Sequence, residues 1–174
     1  MRDENEQVEV KPVEGKRQVQ VLVSDASPSG FRRLSDAWTL FAESYKKGNP
    51  LQRGRYDLGE KLVISLCKRA EIRTTTGAVR FENNKRSTLR GKRERGTLVS
   101  LWVPATVAQI AELEAAAKRL IPPPNIALRL NGQTLHAPSP ISSFKAKLPT
   151  VNVDENSQLR RTARIAEVNV HQPN

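Results

Sequence analysis

Gly54 and Gly59 bracket a basic and polar loop within Pro50-Leu-Gln-Arg-Gly-Arg-Tyr-Asp-Leu-Gly-Glu-Lys61, and an apolar helical pattern follows at once. Glycine admits positive φ and lets a backbone come close to a ligand. A loop that opens straight onto a helix start also points free N–H groups and the positive end of the helix dipole outward. That combination suits an anion, most simply a phosphate. Gly-x-x-x-x-Gly is equally the form of an ordinary loop-to-helix turn, so its neighbours decide what it does. A second chemical signal is the charge run Lys85, Arg86, Arg90, Lys92, Arg93 and Arg95, opposed only by Glu94. By itself it reads as a solvated β-hairpin. Its functional alternative is contact with nucleic-acid phosphates, each of which releases counterions when neutralised. No aromatic interleaves it, as single-strand stacking would require.

Metal and disulfide chemistry find little support. Cys67 is the single cysteine, which excludes an internal disulfide and a multi-cysteine zinc site. It sits on the apolar side of the helix after the glycine loop, as a small buried hydrophobe would. His136 and His171 are the only histidines. No metal ligands and no catalytic residues are assigned from the sequence.

The elements that position these groups can be read from periodicity. Val8, Val10 and Val13, then Val19, Val21 and Val23, alternate on either side of Glu14-Gly15-Lys16 and predict a β-hairpin with one buried face. Its second strand ends in the turn-rich Ser24-Asp25-Ala26-Ser27-Pro28-Ser29-Gly30-Phe31. Leu34, Ala37, Trp38, Phe41, Ala42 and Tyr45 follow helical spacing, and Leu58, Leu62, Val63, Leu66, Cys67 and Ala70 predict a second helix with one apolar face. Glu71–Thr74 and Ala78–Glu82 read as short strands. Gly96–Val103, apolar on both faces, reads as a central covered strand. Thr106-Val-Ala-Gln109 fits a capping box for a helix that runs to Leu120 before three prolines. Asn131-Gly132 predicts a type I′ hairpin. Pro138–Asn156 looks like a linker or extended excursion, and Arg160–His171 like a weakly alternating strand.

The 174 residues suit one domain, or one domain with the start of another, with the boundary placed between 1–137 and 138–174. Composition is 37% hydrophobic but 5% aromatic, with a net charge of +11 and a pI near 10.3. The surface should therefore attract polyanions, so nucleic acid joins nucleotides as a partner class. No apolar run approaches the ~20 residues of a membrane span, and Met1-Arg-Asp-Glu-Asn-Glu6 lacks a signal-peptide core. A cytoplasmic protein without a membrane partner is expected.

The order of these features resembles the GHKL ATPases: gyrase B, the ninety-kilodalton heat-shock chaperones, histidine kinases and MutL proteins. The resemblance covers Val8 to Leu130. Ser24-Asp25-Ala-Ser-Pro-Ser-Gly30-Phe is similar to the Asp-x-Gly-x-Gly box. Leu40-Phe-Ala-Glu-Ser44-Tyr-Lys46, with Gly54-Arg-Tyr-Asp-Leu-Gly59-Glu-Lys61, resembles the helix and Gly-x-x-Gly-x-Gly lid. Arg95-Gly96-Thr97-Leu-Val resembles the Gly-Thr strand. The helix and Pro-Asn-Ile-Ala-Leu stretch that follow are most similar to the B subunit of type IIB topoisomerases and its plasmid and phage relatives.

This resemblance implies an α/β two-layer sandwich of the Bergerat type, a mixed and mostly antiparallel sheet with helices on one face. It implies ATP as ligand, Asp25 as acceptor from the adenine amino group, and Thr97 beside it. It further implies that Gly30, Gly54 and Gly59 shape the site while Lys46 and Lys61 supply charge to the phosphates. Ser27, Ser29 and Asp57 depart from the family's glycines. The family's first helix, with its general-base Glu and magnesium-holding Asn, is represented at most by Asp3-Glu4, and the transducer lysine is not found. The expectation is an ATP-binding domain that hydrolyses weakly or not at all, with magnesium bound where the missing helix is supplied and a dimer in the full-length form. The alternative is a basic nucleic-acid-binding module on the same scaffold.

Overall fold

In the computed structural model, residues 5–40, 59–122, 126–156 and 158–172 are described. The chain divides into two compact units, Met1–Trp38 with Glu60–Ala137, and Thr39–Gly59 with Pro138–Asn174.

The first unit is built on eight strands: β1 (Asn5–Pro12), β2 (Gln18–Ser24), β3 (Arg69–Thr74), β4 (Gly77–Glu82), β5 (Lys85–Leu89), β6 (Leu98–Pro104), β7 (Ala127–Leu130) and β8 (Gln133–Leu135). Their order across the sheet is β5-β4-β3-β6-β2-β1-β7-β8. Neighbours run antiparallel except β1 and β7, which are parallel. The valine alternation sets the first register, with Val8 opposite Val23 and Val10 opposite Val21. A slip of one residue would turn every one of these valines to the other face.

One face of this sheet carries the core. Val10, Val19 and Leu130 are buried there against Ile110 and Ala117 of α2 (Val107–Lys118). Ile72 and Val79 are buried with Ala37 of a short 3-10 turn, Leu34–Ala37, and packed by Ile64 of α1 (Gly59–Ser65). The architecture is therefore a mixed, mostly antiparallel sheet with its helices on one face. Thr106 caps α2 as its sequence requires: its Oγ1 accepts from Gln109 N at 3.3 Å, and Gln109 Oε1 accepts from Thr106 N at 2.9 Å.

The opposite face is polar. Glu71 is 6% exposed and receives Arg69, Arg80 Nε at 2.8 Å and Arg73 Nη2 at 3.4 Å. Arg69 also lies over Trp102, 4.4 Å from the ring centroid. β6 is thus central, as expected, but arginine side chains rather than a second layer of helices shield its outer face. Burial acts to raise the Glu71 carboxyl; hydrogen bonds and charge from Arg69 and Arg80 outweigh it and hold the group below its ordinary value. A depressed carboxylate contributes stability above its unfolded value and loses it as pH falls through the folded one. Glu71→Gln should therefore flatten the fall in Tm below pH 4.5. An acid limb identical to the parent's would rule out this contribution.

Three expectations need correction. The second helix ends at Ser65, and its apolar residues Leu62, Val63 and Leu66 are 57%, 45% and 74% exposed. Lys68 N bonds to Trp102 O at 3.0 Å, which draws the chain into β3 beside β6 and puts Ala70 in a strand. Of the helix expected from Leu34, Leu34–Ala37 form the 3-10 turn and residues 38–40 are not helical; residues 41–45 lie outside the described residues. Pro138–Asn156 contains the strand β9 (Ser142–Val153), which pairs antiparallel with β10 (Leu159–Val170) to form the sheet of the second unit. Pro149 is compatible with this pairing because both strands of a two-stranded hairpin are edges, where a missing N–H can face solvent.

Candidate functional site

The site lies where β2 ends beside the start of β6. Asp25 follows β2 directly, and its N–H donates to Thr97 O at 3.0 Å. Its carboxylate answers in both directions. Oδ2 accepts from Thr97 N at 3.1 Å and Oδ1 from Ser27 N at 2.9 Å. Gly96 N then donates to Ser27 O at 2.7 Å. A loop and a strand start 72 residues apart are thus fastened together through one carboxylate.

Two glycines make that approach possible. Gly96 has φ +68°, and a Cβ there would overlap the Asp25 carbonyl oxygen. Gly30 has φ +52°, and a Cβ there would overlap Thr74 Oγ1. Both positions need glycine for conformation and for space.

Threonines at the β3–β4 turn hold the rest of the loop. Thr74, fully buried, accepts from Phe31 N at 2.8 Å and from Thr97 Oγ1 at 3.5 Å. Thr75 Oγ1 donates to Ser29 O at 2.6 Å, and Thr76 Oγ1 to Phe31 O at 3.0 Å. Arg95 donates to Ala26 O through Nε and Nη2 at 3.1 and 2.8 Å. The sequence reading missed Thr74. The available signal was the run Thr74-Thr75-Thr76, which places three hydroxyls at the end of a strand.

The structure brings Asp25, Gly30 and Thr97 together. Lys61 is 9% exposed with its Nζ 2.5 Å from Glu60 Oε1, and among the described residues no hydrogen bond or ion pair joins it to Asp25 or Thr97. Gly59 opens α1, and a Cβ added there would meet nothing within 4 Å among the described residues beyond its own helix and chain neighbours. Lys46, Gly54 and Asp57 lie outside the described residues.

The basic run splits. Asn83 and Asn84, with φ 52° and 57°, form a two-residue turn that joins β4 to β5, and Lys85 and Arg86 start β5 at that end. Arg90, Lys92, Arg93 and Arg95 follow β5 at its other end, in a segment fastened to the Asp25 loop by Arg95 at Ala26 O and to the end of β3 by Arg93 N at Thr74 O. Ser87, Thr88 and Leu89 of β5 lie between the groups and hold them roughly 13 Å or more apart. Within the second group Arg93 and Arg95 are committed to carbonyl oxygens, while Arg90 and Lys92 are exposed. Among the described residues no group of three or more His, Cys, Asp or Glu side chains could hold a metal, and no helix is long and apolar enough to cross a membrane.

No protein-family model matches this chain and no curated protein matches it significantly. Solved structures do. The ATPase region of Saccharomyces cerevisiae topoisomerase II is 10% identical with a TM-score of 0.47, over 86% of this chain and 50% of that one. The ATPase and transducer domains of DNA topoisomerase II from Balamuthia mandrillaris are 12% identical with a TM-score of 0.45, over 75% and 42%. The yeast region bound to ICRF-187 (dexrazoxane) is 13% identical with a TM-score of 0.40, over 74% and 42%. This chain thus spans half or less of the structures it matches. Likeness at this distance carries no functional argument, which rests instead on the residues of the loop and strand.

Proposed function

We propose that this chain binds an adenine nucleotide at the loop between β2 and β6. The supporting observation is the contact between Asp25 and Thr97, the two residues that the sequence motifs single out for the base. Each Asp25 oxygen accepts one backbone N–H and keeps a lone pair, and the side chain is half-buried. It can therefore accept from the exocyclic amino group of adenine, whereas guanine presents a carbonyl at that position. A charge-assisted bond of this kind contributes about 1.5–3 kcal/mol. Thr97, 8% exposed and turned to Thr74, fixes the strand that the carboxylate leans on.

Hydrolysis by this stretch of chain is slow at most. In this reading the Asp25 carboxylate is engaged by the adenine base, away from the phosphates, so it does not take a proton from the attacking water. ATP is the nucleotide favoured by the motif order, with Lys46, Gly54, Gly59 and Lys61 retained as its proposed phosphate side on sequence grounds alone. Isothermal calorimetry with ATP and GTP tests the reading. Heat with ATP and about tenfold weaker binding of GTP support it; equal affinities, or no heat with either, overturn it.

A second reading is favoured by Arg90 and Lys92, exposed cations in the segment fastened to the same loop. They would contact a nucleic-acid backbone without sequence preference. Replacing both by alanine should then reduce the slope of log K against log salt by roughly two units, about 0.9 for each lost phosphate contact on duplex DNA. An unchanged slope leaves them as a solvated loop.

A further inference from the structure

We propose that the free edge of β5 is a docking site for an extended acidic segment of a partner protein, added to the sheet as a ninth strand. This inference does not depend on the nucleotide reading. It rests on an open edge, a pocket beside it and the charge around both.

The edge comes first. β5 is the outermost strand of the eight-stranded sheet, and Lys85, Arg86, Ser87 and Thr88 are all exposed. Its register is fixed by the two-residue Asn83-Asn84 turn, which makes Glu82 and Lys85 the first hydrogen-bonded pair. The next such pairs are Arg80 with Ser87 and Ala78 with Leu89. Arg86 and Thr88 therefore direct their N–H and C=O groups away from β4. An exposed row of that kind is a template for an added strand.

The pocket comes second. A concavity of about 760 Å³ lies at the end of β5, between the C-terminal end of α1 and the β4–β5 turn. Ile64 and Phe81 give it an apolar floor, and Lys68, Lys85 and Arg86 line it with cations against one carboxylate, Glu82. Arg86 is held over Trp38, 4.1 Å from the ring centroid. An incoming strand presents alternate side chains to one face, so an apolar residue can enter the pocket while its neighbours meet the cations.

Charge chooses the occupant. From Lys85 to Arg93 the sequence has five cations and no acidic residue. A second copy pairing edge to edge would set these cations against each other, which is how natural edge strands resist self-association. An acidic strand meets the opposite: backbone hydrogen bonds give it affinity, and the cations select its sign.

The chain supplies its own reporter. Cys67, its single cysteine, lines the pocket. The probe is a synthetic seven-residue peptide alternating glutamate with valine, with one central phenylalanine. The readout is the rate at which a maleimide labels Cys67 in the full chain at mildly alkaline pH. Saturating peptide should slow labelling about tenfold, and the same peptide with lysine in place of glutamate should not. Thr88→Pro removes an outward N–H and no bond to β4, so it should weaken protection about tenfold and leave the Tm close to that of the parent. Lys85→Glu, which changes no backbone group, should weaken it as well and decides the matter if the proline variant does not fold. No protection by the acidic peptide, equal protection by the lysine peptide, or full protection in the folded variants would overturn the proposal. Equal protection by a single-stranded oligothymidine would also overturn it, because the edge would then be a general polyanion surface.

Discussion

Asp25→Asn is expected to weaken ATP about tenfold or more while leaving GTP unchanged, and to destabilise the fold at the same time. The functional loss follows from charge, since a charge-assisted bond contributes about 1.5–3 kcal/mol and a neutral amide much less. The structural loss follows from geometry. Both carboxylate oxygens accept backbone N–H groups, from Ser27 and Thr97. Asparagine keeps one acceptor and turns an NH2 toward the other donor, which leaves a partly buried N–H without a partner at a cost of about 1–3 kcal/mol. The two losses can be separated. Calorimetry well below the variant's Tm gives the ratio of ATP to GTP affinity, and thermal unfolding without nucleotide gives the stability. A fall in Tm with an unchanged affinity ratio would leave Asp25 as a loop residue alone and remove the adenine assignment.

Gly96→Ala should be the most damaging single-methyl change in the site. A non-glycine residue at positive φ costs about 1–3 kcal/mol, and here the added carbon would also overlap the backbone of Asp25. Backbone cannot rotate aside as a side chain can, so β6 and the Asp25 loop must separate. We expect a loss of at least about 3 kcal/mol, among the larger effects of single substitutions, with nucleotide binding lost alongside. Gly91→Ala is the control: Gly91 has φ +88° but nothing within 4 Å of an added Cβ, so it carries the conformational cost without the overlap. Equal Tm values for the two variants would mean that the close approach at Gly96 is not what the site depends on.

Local pattern settled much of the fold because local geometry settles it. The valine alternation in β1 and β2 fixes which side chains share a face. Thr106 and Gln109 lie at the spacing at which each can satisfy the other's backbone N–H. The apolar strand after Gly96 found its central place between β3 and β2. Where periodicities competed, neighbouring chain decided. Leu62, Val63, Leu66 and Cys67 continue a helical spacing toward Ala70, but pairing of β3 with β6 gains ladder hydrogen bonds and buries Ile72, so the helix stops at Ser65.

The site divides along the same line. The resemblance of the motif order to the GHKL ATPases singled out Asp25, Gly30 and Thr97, none of which stands out in isolation. The sequence could not show that Thr74 links the Phe31 N–H with the Thr97 hydroxyl, since that arrangement exists only when residues 43 and 23 positions apart are brought together by the sheet. It also ran Lys85 to Arg95 together as one cluster, because adjacency along a chain says nothing about which end of a strand a charge occupies. β5 separates them, leaving Lys85 and Arg86 by a pocket and Arg90 and Lys92 in the segment fastened to the Asp25 loop. Residue type is a local property and is written in the sequence; proximity is a property of strand pairing, and only the folded sheet decides it.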